Sequence, residues 1–345
     1  MQTTENLGLN LPDSEEFADI EKLNENFEKI DSEVGVLENI LNDVSNAVVL
    51  KKHFNSKENV STLPYSADYY TRVVVYNGEI HLLGGDSNNT AHYKWDGSSW
   101  ISASTLPYPF YGGEAIVYNG EIHIFGSGES LYETCHYKWN GTSWEYVSDL
   151  GTSGYLSSAV IYDDEIHILG ASSGHTSHIR FNGTEWVEEE SLNFVLKGGA
   201  AVIYNGEIHA LGGKELPRIH RKWNGTDWVD VTTLPYTYKA SSIFAYDNEI
   251  HMLGSDDFSN YERTISHYKF NGTEWIKSEN LPYAFNGKAV AYNGEIHLLG
   301  GSDSEATKHT ILYKESTPDY TLQLVNSLID KVDVLTSKVN SLSAS

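Results

Sequence analysis

The stretch Tyr76–Gly85 reads YNGEIHLLGG and is written six times along the chain. It returns as YNGEIHIFGS from Tyr118, YDDEIHILGA from Tyr162, YNGEIHALGG from Tyr204, YDNEIHMLGS from Tyr246 and YNGEIHLLGG from Tyr292. After each of the first five copies comes a second block: HYKWDGSSW from His92, HYKWNGTSW from His136, HIRFNGTEW from His178, HRKWNGTDW from His220 and HYKFNGTEW from His267. A third element, usually Leu-Pro-Tyr, leads into the next copy. Self-similarity at a fixed period of this size signals a propeller or solenoid.

Each unit reads as four short strands. An apolar run such as Arg72–Tyr76 meets Asn77-Gly78, a dipeptide suited to a tight hairpin turn. Glu79–Gly85 is the second strand, His92–Trp95 the third and Trp100–Ala103 the fourth, with Asp96-Gly97 turning between the last two. Four strands per unit describe a propeller blade. The sixth unit runs HTILYKESTPDY after His309 and lacks a fourth strand. Because an open blade edge invites aggregation, a strand at about Asn55–Thr62 is expected to complete it.

A strand ending in Gly-Gly, an aromatic about a dozen residues on and a Trp after it resemble the kelch repeat, over roughly residues 55 to 315. His81, His123, His167, His209, His251 and His297 stand where kelch strands usually carry Tyr, and Gly-Gly relaxes to Gly-Ser or Gly-Ala in three copies. The resemblance implies an all-β, six-bladed kelch-like propeller.

A different period governs the ends. Phe27, Ile30, Val34, Leu37, Leu41, Val44 and Val48 alternate steps of three and four, as do Val325, Leu328, Val332, Leu335, Val339 and Leu342. These are heptad seams, and heptads this short need partners in water. The expected organisation is an N-terminal attachment segment and coiled-coil helix over 1–50, the propeller over 51–318 and a C-terminal heptad helix over 319–345.

The N-terminal FADIEKLNENFEKIDSEV resembles the attachment segment of tail and receptor-binding proteins of phages that infect Gram-positive bacteria. Asp19, Ile20, Leu23, Asn24, Asn26, Phe27, Ile30 and Asp31 carry the match. The resemblance implies a homotrimer in the virion tail, joined to other tail or baseplate proteins through this end, with a distal domain that recognises the host surface.

Composition narrows the function. A net charge of −25 argues against nucleic acid, which needs a basic footprint. No apolar run approaches a membrane span, and the N-terminus lacks the basic and apolar regions of a signal peptide, so synthesis in the host cytoplasm without membrane insertion is expected. Cys135 is the single cysteine and excludes an internal disulfide. Twelve of the 14 His occupy repeat positions, six on the second strand and six (His92, His136, His178, His220, His267, His309) opening the third. Spread around a ring, they read as structural hydrogen-bonding groups, because zinc requires three or four ligands at one point. The Asn-Gly-Thr tripeptides at Asn140, Asn182, Asn224 and Asn271 are explained by their turns, although they match a glycosylation pattern. Five arginines and no Asp-box argue against a sialidase, and Cys135 lacks the setting of a copper oxidase. No cofactor, no metal and no catalysis are expected.

The repeats disagree on one face only. Turns from strand one to two and three to four are short and nearly invariant. The connections from two to three, and from blade to blade, differ in every copy and are rich in aromatic residues. A face released from repetition is available for binding. The candidates there are Tyr69, Tyr70, Tyr108, Phe110, Tyr111, Tyr132, Tyr155, Phe194, Tyr236, Tyr238, Tyr261 and Phe285. Among them, Tyr108 and Tyr236 share the repeated Leu-Pro-Tyr with Tyr65 and Tyr283, which gives them a structural reading. The functional expectation is a non-catalytic receptor-binding protein for a host surface glycan or protein. An adaptor using the propeller as a protein–protein platform is the alternative, and a polysaccharide-active enzyme the third reading.

Overall fold

Alternation of apolar and polar residues in each repeat produces four-stranded antiparallel sheets, six in all. The computed structural model describes residues 54–314, except 69, 86–87, 127–134, 156, 172–173, 214–217, 237–241 and 255–264, together with nine helical positions between 25 and 39. Asn55–Tyr313 form one compact unit. The first strands of the blades, numbered 1 to 6, are Arg72–Tyr76, Glu114–Tyr118, Ser158–Tyr162, Ala200–Tyr204, Ser242–Tyr246 and Lys288–Tyr292. Each touches the first strand of the next blade, and the last touches Arg72–Tyr76, so these strands form the inner wall of a closed ring.

Closure uses the strand Phe54–Thr62, which lies at the outer edge of blade 6 beside Lys308–Lys314. It replaces the missing fourth strand and removes an exposed edge. Ser61 joins a histidine of blade 6 to a tryptophan of blade 1, as Ser104 joins one of blade 1 to tryptophans of blade 2, though through different atoms. The Ser61 hydroxyl lies 2.9 Å from His309 Nδ1 and accepts from Trp100 Nε1 at 3.1 Å. The Ser104 hydroxyl accepts from Trp139 Nε1 at 3.2 Å, and its carbonyl faces His92 Nδ1 at the same distance.

The repeated histidines meet within each sheet. Nδ1 of the second-strand residue and Nε2 of the third-strand residue are 2.8 Å apart for His81–His92 and 2.7 Å for His123–His136. The pairs His167–His178, His209–His220 and His297–His309 sit at 2.8 Å, and His251–His267 at 2.9 Å. All twelve rings are buried. Each pair is walled by the Tyr ending the first strand of its own blade, as Tyr76 stands 5.5 Å from His81 and nearly perpendicular to it. In every blade but the fifth, where Leu312 of blade 6 takes the corresponding register position, the other wall is an aromatic of the next blade. Trp139 lies 4.8 Å from His92, Phe181 5.0 Å from His136, Phe270 4.7 Å from His220 and Trp95 4.9 Å from His309.

Proton positions differ between blades. In blade 1 the carbonyl of Ser104 requires a proton on His92 Nδ1, so His81 Nδ1–H donates to His92 Nε2. In blade 4 Trp275 Nε1 donates to His220 Nδ1 at 3.3 Å, so His220 Nε2–H donates to His209. Either way only one of the two facing nitrogens can carry a proton, so the two rings cannot both be charged without destroying the bond. A second ladder runs outside the imidazoles, joining Glu at the start of the second strand to a cation on the third. Its members are Lys94–Glu79 (3.0 Å), Lys138–Glu121 (3.0 Å), Arg180–Glu165 (2.7 Å), Lys222–Glu207 (2.9 Å) and Lys269–Glu249 (3.1 Å). In blade 6, Ile311 takes the cation's register position opposite His297.

The first glycine after the second strand is present in all six copies for a backbone reason. Gly84, Gly126, Gly170, Gly212, Gly254 and Gly300 have φ between 59° and 83°. A Cβ on Gly84 would stand 2.3 Å from the Phe110 carbonyl of the next blade's leading loop, and one on Gly254 2.3 Å from that of Phe285. The second position of the pair tolerates Ala171, whose backbone continues the strand.

The heptads fall mainly outside the described residues. Ile30 and Val34 are helical and half-buried among the nine helical positions. Phe27, Leu37, Leu41, Val44, Val325, Leu328, Val332 and Leu335 lie outside.

Two measurements test this scaffold. Burial holds His81, His123, His209 and His297 down to about 4, and His92, His136, His220 and His309 to about 3, below the ordinary 6.5. The unfolded chain therefore binds more protons than the folded one once pH drops below about 6.5. Urea midpoints are expected to hold above that value and to fall steeply as pH is lowered toward 4. The second measurement is denaturant unfolding of Gly84→Ala, which combines a left-handed backbone with a carbonyl clash and is expected to cost ~2 kcal/mol or more.

Candidate functional site at the channel mouth

Antiparallel succession of the strands puts the blade-to-blade loops and the two-to-three connections at one end of the ring and the invariant hairpin turns at the other. The leading loops of blades 1, 2, 4 and 6 send a residue inward, against the glycine of the preceding blade, and that of blade 3 sets Gly154 there. Phe110 and Phe285 fill this position with no exposed surface, Leu196 does the same, and Ala67 is its small counterpart. Phe110 and Phe285 are therefore core residues rather than exposed binding groups. Phe194 is also buried; it stands in the Leu-Pro-Tyr position, beneath Arg221 at 5.1 Å and 5.4 Å from Trp228. Tyr108 and Tyr236 are half-buried and tie the leading loops of blades 2 and 5 to the blades those loops enter, their hydroxyls donating to the carbonyls of Gly126 and Gly254 at 2.6 Å. Tyr69, Tyr132, Tyr238 and Tyr261 lie outside the described residues.

The remaining three candidates converge. Tyr70, Tyr111 and Tyr155 come from the leading loops of blades 1, 2 and 3 and form a row across two blade seams. Ring centroids of Tyr70 and Tyr111 are 3.9 Å apart, and those of Tyr111 and Tyr155 6.0 Å at 21° between planes. The Tyr111 hydroxyl hydrogen-bonds with both neighbours; burial first, then these bonds, push its phenol well above the ordinary range. Tyr155 is seated by glycine: a Cβ on Gly112, whose φ is +69°, would stand 2.5 Å from the Tyr155 ring. Asp68 shapes the blade 1 loop by accepting from the backbone N–H groups of Tyr70 (2.9 Å) and Thr71 (3.2 Å).

Beside this row the inner strands begin, and there the ring is charged on one side. The equivalent first positions are Arg72, Glu114, Ser158, Ala200, Ser242 and Lys288. The two serines fasten seams, with Ser158 Oγ accepting from the N–H of Ala201 and Ser242 Oγ from that of Ala289, both at 2.8 Å. Arg72 fastens the seam between blades 1 and 2 by donating to Glu114 Oε1 from Nε at 3.1 Å and Nη2 at 2.9 Å. Burial lowers Lys288 to about 7; nearby Arg72 adds to the effect, while Glu114 and Asp68 oppose it. These charged groups belong to no sequence motif, although aligning the six first-strand starts displays them. Among the described residues, no group of three or more His, Cys, Asp or Glu is placed to hold a metal ion.

No known family's sequence model matches the chain, and no curated protein does. Solved structures do: that of YjhT aligns at a TM-score of 0.62 over 74% of this chain and 97% of its own, at 12% identity. The likeness is one of fold. Function has to be argued from the residues at the mouth.

Proposed function

We propose that the protein is a non-catalytic receptor-binding protein of a phage tail, whose propeller recognises a host surface glycan at the channel mouth. The observation that carries the binding site is the row Tyr70–Tyr111–Tyr155, built from three blades at the one end of the ring where the repeats diverge. Aromatic faces and edges suit the C–H surfaces of sugars, while the hydroxyls and Asp68 offer polar partners for sugar hydroxyls. The repeat that resembles kelch supplies a rigid frame for them.

Two carboxylates near the mouth support a binding role over a hydrolytic one. Glu114 is held by Arg72, and Asp68 caps its own loop. A glycosidase needs a pair of carboxyl groups facing the scissile bond, one of them protonated, and both of these have structural partners. Tail attachment and trimerisation rest on the N-terminal resemblance and on the heptad seams through Phe27, Ile30, Val34, Leu37, Leu41 and Val44, with Val325, Leu328, Val332 and Leu335 as the second seam.

Replacing Tyr111 or Tyr155 by Ala is expected to weaken glycan binding by about fivefold each, as about 1 kcal/mol of aromatic contact is lost. Gly112→Ala is expected to weaken it as well by displacing the Tyr155 ring. Isothermal titration against cell-wall fragments reads all three; unchanged affinity would remove the site. For assembly, light scattering is expected to give a trimer mass, reduced to that of the monomer in Leu37→Asp, with far-ultraviolet dichroism of the propeller retained.

A further inference from the structure

Asn-Gly occurs nine times in the chain, and every copy but Asn286-Gly287 sits in an exposed hairpin turn at the end of the ring opposite the tyrosine row. The dipeptide has a chemistry of its own. Glycine has no side chain to shield its nitrogen, which can therefore attack the side-chain amide carbon of the asparagine before it.

The two sets of turns hold their asparagines differently. In the turns from strand one to two, Asn77, Asn119, Asn205 and Asn293 have φ between 48° and 51°. Strand pairing closes Tyr76 on Glu79 and leaves the Gly78 N–H outside the ladder. A Cβ on Gly78, Gly120, Gly206 or Gly294 would meet nothing within 4 Å. Among the described residues, no hydrogen bond holds the side chains of these four asparagines. In the turns from three to four, the asparagine oxygen is locked. Asn140 Oδ1 accepts from the N–H groups of Thr142 (3.0 Å) and Ser143 (3.1 Å) and from the Thr142 hydroxyl (2.8 Å). Asn182 and Asn271 repeat all three bonds, and Asn224 repeats the two from the backbone. The Asn140 amide nitrogen also donates to Glu145 at 2.6 Å. Swinging such a side chain onto the glycine nitrogen breaks its turn.

We propose that Asn77, Asn119, Asn205 and Asn293 are sites of spontaneous deamidation, while Asn140, Asn182, Asn224 and Asn271 are protected by the hydrogen bonds of their turns. The glycine nitrogen bonds to Cγ, the Cγ–Nδ2 bond breaks, and ammonia leaves with the glycine N–H proton. Water then opens the cyclic imide. Attack at the side-chain carbonyl gives aspartate, and attack at the backbone carbonyl gives isoaspartate. Each conversion adds a negative charge to a chain of net charge −25. Aspartate suits the turn, since Asp163 and Asp247 hold the same position in blades 3 and 5 with φ of 49° and 51°. Isoaspartate adds a backbone atom to a two-residue turn, which the paired strands cannot absorb in register.

The test is peptide mapping by mass spectrometry of the full-length protein aged in mildly alkaline buffer, with the same chain aged in denaturing urea alongside. In the folded protein, Asn77, Asn119, Asn205 and Asn293 are expected to lose their amides about tenfold or more faster than the other set, where at least two hydrogen bonds must first break. In urea the two sets are expected to converge. Equal rates in the folded protein, or faster loss from the three-to-four turns, would overturn the inference. A difference that persists unchanged in urea would overturn it as well, by tracing the preference to the residue after glycine instead of the fold. Asn77→Asp is expected to keep the urea midpoint of the unmodified protein, and isoaspartate-rich fractions to unfold at lower urea. A lowered midpoint in Asn77→Asp would overturn the claim that the turn accepts its product.

Discussion

Two imidazoles share a buried hydrogen bond in every blade, and in five of the six an aromatic ring of the next blade stands against it. His81 and His92 are joined in blade 1 while Trp139 of blade 2 stands against them, and Trp95 of blade 1 stands against His309 at the closing seam; Leu312 of blade 6 takes that position after blade 5. A buried polar pair is tolerable only when satisfied and shielded. In those blades the pair is shielded by the succeeding blade, and ring closure brings Trp95 to the pair of blade 6. The strand Phe54–Thr62 closes the ring, and Ser61 there, like Ser104 one blade later, joins a histidine to a tryptophan of the following blade, though through different atoms.

Rigidity at this level releases the opposite requirement at the mouth. In the loops into blades 2, 4 and 6 one inward residue, Phe110, Leu196 or Phe285, packs against the preceding glycine, while Ala67 and Gly154 take that place in the loops into blades 1 and 3. The next position is free to vary: Asp68, Tyr111, Tyr155, Lys197 and Asn286 stand there. Adjacent blades thus act as independent mounts for different side chains at a fixed spacing. Tyr70, Tyr111 and Tyr155 show what three successive mounts can assemble.

Much of this is legible in the repeat. The blade pattern, the closing strand and the structural role of the histidines all come from the spacing of Tyr76–Gly85 and its copies, because hydrophobic period and turn chemistry are local. The aromatic loops are less legible. Phe110 and Tyr111 are neighbours in sequence, yet one is core and the other rim, and the loop into blade 6 places its core residue one step closer to the strand. Exposure there is set by contact with the preceding blade, which no local pattern encodes. Phe194 departs from expectation for a related reason: it replaces the Tyr of Leu-Pro-Tyr and inherits its buried place. The Glu79–Lys94 ladder and the charged start of the inner strands are visible only when the copies are aligned with one another. The heptads have no comparable structural description beyond the helical positions between 25 and 39.

Scaffold is thus assigned to the repeating residues, and the proposed recognition to the tyrosine row. Hydrogen exchange followed by mass spectrometry, with and without saturating host cell-wall glycan, tests that division most directly. Slowed exchange is expected in the loops containing Asp68–Arg72, Phe110–Glu114 and Gly154–Ser158, with the turns at Asn77-Gly78, Asn119-Gly120 and Asn293-Gly294 unchanged. Slowing confined to those turns, at the opposite end of the ring, would contradict it.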